Sequence, residues 1–197
     1  MNFGVGAANT LQIDVNGNLI IANTGGTLYT TTAGTSNLRL GAGAGVDLAS
    51  GALKNTLIGD AAGANVSTGD FNTAVGYESL FTDTVHGRAT AFGYRALYSN
   101  APTEISYNVA VGYAAGVFNS TGIQNTFIGG NAGVNNTVGG QNTAVGFEAL
   151  ETNIGGVGST AVGRRALYSQ SLAAGSTADL KNTGVGFNAG FYISTGT

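Results

Sequence analysis

The chain has 197 residues, with 34 Gly, one Pro, no Cys and no Trp; 43% of it is hydrophobic, 9% is charged, and the formal net charge is −3. So much Gly with so little charge is unlike a globular enzyme, while the apolar share is too high for a disordered chain. Seven scattered Lys and Arg residues offer no patch for nucleic acid, no apolar run approaches the roughly 20 residues that insert across a membrane, and disulfide and thiol chemistry is excluded.

Residues 1–36 form a distinct segment. Leu11, Ile13 and Val15 alternate with polar residues, Asn16-Gly17 is a type I′ turn signal, and Leu19-Ile20-Ile21 follows, which predicts a β-hairpin. Met1-Asn2-Phe3-Gly4 lacks a charged region leading into an apolar stretch, so the chain is not expected to carry its own secretion signal. Gly25-Gly26 and the Thr/Gly/Ser run from Thr30 to Ser36 read as a connection.

Residues 37–197 repeat. The word Asn142-Thr143-Ala144-Val145-Gly146-Phe147-Glu148-Ala149-Leu150 recurs in nine copies anchored on Gly41, Gly59, Gly76, Gly93, Gly112, Gly129, Gly146, Gly163 and Gly186. Most gaps are about 17 residues, one coil of a β-solenoid. The expected fold is all-β, a parallel β-solenoid (β-roll) of about nine coils. Before each anchor stands an apolar residue: Leu40, Ile58, Val75, Phe92, Val111, Ile128, Val145, Val162 or Val185. This file is predicted to be the core. Thr56, Thr73, Thr90, Thr126, Thr143, Thr160 and Thr183 lie two residues earlier, on the same strand face. The residue between them is small or apolar in all but one copy, as in Leu57, Ala74 and Phe127, the exception being Arg39.

A strand that is apolar on both faces is buried on both. A thin solenoid has one interior, so several chains are expected to associate, with the Ala file allowing their close approach. The pattern itself does not set the number at three. Ala44, Ala62, Ser79, Ala96, Ala115, Ala132, Ala149, Ala166 and Ala189 form a tight-packing file past the anchors. Next come Gly63, Leu80, Leu97, Gly116 and then Gly133, Leu150, Leu167, Gly190, a four-coil period that divides the repeats into super-repeats at about 55–124 and 125–197. Both halves are lengthened after a Tyr-Ser pair, by Asn100 to Tyr107 and by Gln170 to Lys181. These insertions are expected on an edge, as contacts for a partner. Phe191 to Gly196 resembles Val117 to Gly122, which leads into another coil, so continuation into a longer fibre or a neighbouring subunit is expected.

The words Asn72 to Leu80 and Asn142 to Leu150 resemble the head repeats of trimeric autotransporter adhesins and, with closer wording and coil length, the repeat region of bacteriophage tail fibres. The resemblance covers about residues 37–197. It implies a homotrimeric left-handed parallel β-roll on a virion or cell surface, displaying a surface that binds a receptor.

Catalysis finds little purchase. His86 has no second His or Cys beside it and no counterpart in Gly155-Gly156-Val157-Gly158, so it reads as a turn residue, and no metal or cofactor is expected. Glu78 and Glu148, with Asp83 and Glu151 nearby, are the acids a glycan hydrolase would use, but their repeat-equivalent placement favours a copied surface position. Ice binding by the Thr file is a further alternative, disfavoured if Thr shares an inward face with the apolar file. Tyr77, Tyr94, Tyr113, Phe147 and Phe187 read as packing residues more than as a sugar-stacking strip. The Asn file at the coil entry, such as Asn55, Asn72 and Asn125, reads as stacked turn residues that satisfy backbone groups. Candidate contacts for a cell-surface glycan or protein receptor are Tyr98, Pro102, Glu104, Tyr107, Tyr168 and Asp179. The reading is a non-enzymatic fibre or adhesin segment, with a polymeric extracellular filament as the alternative.

Overall fold

A computed structural model describes residues 3–4, 9–13, 19–23, 36–170 and 177–193. The described elements are all β-strands. The chain forms two compact units, Met1–Thr31 and Thr32–Thr197.

The first unit contains β1 (Phe3–Gly4), β2 (Asn9–Ile13) and β3 (Leu19–Asn23). β2 and β3 pair antiparallel as the expected hairpin, but with Leu11 opposite Ile21 and Ile13 opposite Leu19, one residue away from the register that a two-residue turn at Asn16-Gly17 would set, in which Ile13 faces Ile20. β1 pairs antiparallel with β2. Val15, the Asn16-Gly17 turn and the connection from Gly25 to Thr35 lie outside the described residues.

In the second unit the strands are β4 (Leu38–Leu40), β5 (Thr56–Ile58), β6 (Thr73–Val75), β7 (Thr90–Phe92), β8 (Val109–Val111), β9 (Thr126–Ile128), β10 (Thr143–Val145), β11 (Gly156–Val157), β12 (Thr160–Val162), β13 (Ser169–Gln170), β14 (Ala178–Asp179), β15 (Thr183–Val185) and β16 (Tyr192–Ile193). Nine of them form one parallel sheet in the order β4-β5-β6-β7-β8-β9-β10-β12-β15. Repeat-equivalent residues pair directly, Thr56 with Thr73, Ala74 with Ala91 and Val145 with Val162. Each word is therefore one rung of a β-solenoid. Two short parallel pairs, β11 with β14 and β13 with β16, lie beside the second insertion.

The anchor glycines explain the stacking distance. They hold φ between +124° and +138°, and a Cβ on Gly59 would stand 2.6 Å from the Gly76 carbonyl oxygen. Backbone rests on backbone there, in a conformation that L side chains avoid.

The interior corrects the predicted core. Leu57, Ala74, Ala91, Ala110, Phe127, Ala144 and Ala161, the middle residues of their strands, are fully buried. Ile58, Val75, Phe92, Val111, Ile128, Val145, Val162 and Val185 point the other way with the Thr file. Phe92 is 54% exposed and Val185 69%, as is Leu40 at 60%, while Ile58, Val75 and Val145 are half-buried. The reason is geometric: a three-residue strand in a narrow tube turns only its middle side chain inward. The Ala file accordingly packs inside its own chain and gives no approach to a neighbour.

The four-coil period is an exchange of volume. A Cβ on Gly133 would fall 2.4 Å from the Phe127 ring, and one on Gly63 2.7 Å from Leu57. Where the middle residue is large, the position past the Ala file is Gly. Where it is Ala74, Ala91, Ala144 or Ala161, that position is Leu80, Leu97, Leu150 or Leu167, each buried. The fourth coil of each super-repeat departs from the exchange: Ala110 stands with Gly116 and Gly184 with Gly190, and large side chains of neighbouring layers fill the space instead, Phe127 and Leu97 at Gly116 and Leu167 and Ile193 at Gly190.

Two amide ladders run beside this apolar column. In the first, the Asn72 backbone N–H donates to Asn55 Oδ1 at 2.8 Å, and Asn125 and Asn142 repeat the bond to Asn108 and Asn125. The side-chain amides of Asn55, Asn108, Asn125 and Asn142 also reach a carbonyl, as Asn125 Nδ2 does to Gly139 O at 2.8 Å. These Asn residues satisfy the backbone, as their position predicts. The second ladder joins Asn100, Asn119, Asn136, Asn153 and Gln170, all buried, each amide donating to the side-chain oxygen one coil back.

Candidate functional site

The outward sheet face carries two parallel files. One is the apolar file from Leu40 to Val185; the other is the Thr file, whose hydroxyls find no hydrogen-bond partner among the described residues. Beyond the anchors, Tyr77 stacks on Tyr94 with centroids 5.5 Å apart, and Tyr94 on Tyr113 at 5.1 Å. All three rings remain exposed. The result is a broad apolar and aromatic surface on a rigid sheet, larger than scattered surface apolar residues make.

Acidic residues stitch neighbouring coils. Arg95 Nε donates to Glu78 Oε2 at 2.6 Å, and Arg165 pairs with Glu148 in the second super-repeat. Arg95 also lies over the rings of Tyr94 and Tyr98. Both Glu residues named as possible hydrolytic acids are thus engaged by guanidinium groups.

The six predicted receptor contacts are not one cluster. Tyr98 stacks on Phe81 at 5.1 Å, and Tyr168 stacks on Phe191 at 4.7 Å. The Glu151 hydrogen bond, aided by burial, raises the Tyr168 hydroxyl above its ordinary pKa. Both tyrosines brace adjacent coils. Pro102 is buried, which corrects its assignment as an accessible contact, because the first insertion folds back along the coil. Asn100 and Ser106 are fully buried there too, with Asn100 serving as a ladder amide. Glu104 is exposed, as is Tyr107, whose hydroxyl accepts from Arg88 Nη1 at 2.9 Å. Asp179 is exposed and pairs with Lys181 at 2.8 Å. Residues 171–176 of the second insertion lie outside the described residues.

The first insertion does complete a site that was not anticipated. Asp70, Phe71, Val85, His86, Gly87, Arg88 and Ile105 line a cavity of about 140 Å³. Along its edge Lys54 Nζ lies 5.0 Å from the Phe71 ring centroid, and the Arg88 guanidinium lies 5.8 Å from Phe71 and 5.5 Å from Tyr107. Cation and ring alternate over four coils, a favourable arrangement even at a wet surface. The available signal was the mismatch of Phe71 with Gln141, and of Val85-His86-Gly87-Arg88 with Gly155-Gly156-Val157-Gly158.

Below that loop the polar ladder ends on an acid. Asp83 Oδ2 accepts from Asn100 Nδ2 at 3.0 Å, while its Oδ1 and the Asn72 Nδ2 have no partner. Where other coils supply Asn, the neighbouring ladder positions here hold Val66 and Ala89. Burial pushes the Asp83 carboxyl up to about 7, against the opposing hydrogen bonds from the Asn100 side chain and the His86 backbone. No cluster of metal-ligating side chains occurs among the described residues.

No family model, no curated protein and no solved structure matches this chain.

Proposed function

We propose that the chain is a non-enzymatic structural segment of a surface fibre, of the kind its repeat words resemble in phage tail fibres and adhesins, and that it assembles as a homotrimer through its outward sheet face. The observation that carries this reading is the solvent-facing apolar file Leu40, Phe92, Val111, Ile128, Val162 and Val185. A continuous apolar file on a flat, regular surface favours association with a surface of equal regularity, and another copy supplies one. In this arrangement the edges remain outside and present Glu104 and Tyr107 to a glycan or protein on a host or other surface, with avidity from three copies. A virion or extracellular setting follows from the resemblance. Open-ended stacking into a polymeric filament is the alternative assembly; concentration-dependent growth in mass would favour it, whereas a fixed threefold mass favours the trimer.

One observation favours a second reading. The Thr hydroxyls face outward without a hydrogen-bond partner among the described residues, which removes the objection that an inward Thr file cannot order water or ice. Val109 interrupts that file and Phe92 protrudes beside it, so self-association fits the face better. Partition of the chain into growing ice, abolished by Thr126→Tyr and Thr143→Tyr, would reverse the order of the two readings.

A further inference from the structure

We propose that the cavity between Phe71 and the first insertion binds a single acidic sugar ring, a uronate-type saccharide whose carboxylate sits on Arg88. This goes beyond the fibre reading and stands whether or not chains associate.

The first observation is where the duplication breaks. Across the two super-repeats most positions keep the same residue or character, as in Arg95 to Ser99 and Arg165 to Ser169. At the cavity, Asp70, Phe71, Val85, His86 and Arg88 stand against Gly140, Gln141, Gly155, Gly156 and Gly158. Five residues that line one hollow, drawn from two successive coils, are therefore replaced in the second super-repeat by four glycines and a glutamine. Coil formation does not require them, since the second half builds its coil without them.

The second observation is the chemistry that converges there. Arg88 gives one N–H to Tyr107, and among the described residues neither Arg88 nor Lys54 is paired with a carboxylate. The rest of the Arg88 fork can take a carboxylate in two parallel bonds. Asp70 Oδ1 accepts from the Leu53 N–H at 2.7 Å, which orients the carboxylate and leaves Oδ2 to accept from a sugar hydroxyl. Phe71, Val85 and Ile105 supply apolar walls for the C–H face of a ring. The hollow, about 140 Å³ and partly open to solvent, is smaller than the roughly 300 Å³ at which pockets for drug-sized ligands begin, which limits the ligand to a single ring lying partly outside it. The presence of Asp70 disfavours a doubly charged phosphate and favours a ligand with one negative charge and several hydroxyls.

The third observation is rigidity. The Arg88 N–H donates to Asp70 O at 2.9 Å, and any Cβ on Gly87 would collide with the Asp70 backbone. The two walls are thus locked together before a ligand arrives, which lowers the ordering cost of binding.

The test is calorimetric and saturation-transfer NMR titration of the full chain with methyl β-D-glucuronide, with methyl β-D-glucoside as the neutral control. The variant Phe71→Gln/Arg88→Gly copies the residues of the second super-repeat, and Arg88→Gln alone is the milder second variant. The expected result is glucuronide binding that weakens about tenfold or more in either variant and is about tenfold weaker for the glucoside, the scale of one lost charge-assisted bond pair. No glucuronide binding at millimolar concentration, equal binding of the glucoside, or unchanged binding in folded variants would each overturn the proposal.

Discussion

Asn100 donates its side-chain amide to Asp83 at 3.0 Å, and Asp83 is where a ladder of carboxamides ends on a carboxylic acid. Burial raises that acid to about 7 from an ordinary value of 3.8. The folded chain therefore holds a proton that the unfolded chain has released between about pH 4 and pH 7. Stability is highest below this window, falls as pH rises through it, and levels off above about pH 7. Replacing Asp83 with Asn restores the amide found at Asn153 in the second super-repeat. The Asp83→Asn variant should be more stable at pH 8, by up to roughly 4 kcal/mol, and nearly unchanged at pH 4. Urea unfolding at the two pH values checks this; an equal effect at both would remove Asp83 as the source.

The volume exchange predicts a rescue. Phe127→Ala should cost about 3–5 kcal/mol by opening a cavity. Gly133→Leu alone should also destabilise, because its side chain would enter the space of the Phe127 ring. Together they recreate the Ala144 and Leu150 coil, in which Leu150 holds φ of 52°, close to the 58° of Gly133. Thermal unfolding of the double variant should recover most of either single loss; simple addition of the two losses would contradict the exchange.

The anchor contact predicts a larger effect than the ion pairs. Gly76→Ala places a Cβ 2.4 Å from the Gly93 carbonyl oxygen at φ of 132°, and should cost more than about 3 kcal/mol. Glu78→Gln breaks the half-exposed pair with Arg95 and should cost less than about 1 kcal/mol. Denaturant midpoints of the two variants give the comparison directly.

Much of this fold is legible in the residues, because a repeat reports its own register. The coil length, the Asn file from Asn55 to Asn142, the existence of the β2–β3 hairpin and the four-coil period all follow from spacing; the hairpin register does not, since a two-residue turn at Asn16-Gly17 would place Leu11 opposite Ala22 and not Ile21. The direction of the strand faces does not. Thr143 and Val145 share one face and Ala144 has the other, but neither face is charged, so nothing in the pattern distinguishes tube interior from outer surface. Apolar character marks what avoids water and leaves open whether its own chain covers it. The ladder through Asn119 and Asn136 is concealed for another reason: its file also holds Val66 and Asp83. The cavity is harder still, since Asp70, Arg88 and Ile105 come from three different coils. Its trace is the failure of the second super-repeat to copy it.

The apolar file also separates the fibre reading from a simple core reading in one measurement: the solution mass of the wild type and of Phe92→Lys/Val162→Lys, both at exposed positions of the file, by light scattering, with circular dichroism alongside. The fibre reading predicts a wild type at three times the 19.5 kDa chain mass, and a double variant at the single-chain mass that keeps its β-sheet spectrum. A monomeric wild type, or a double variant that unfolds, would contradict it.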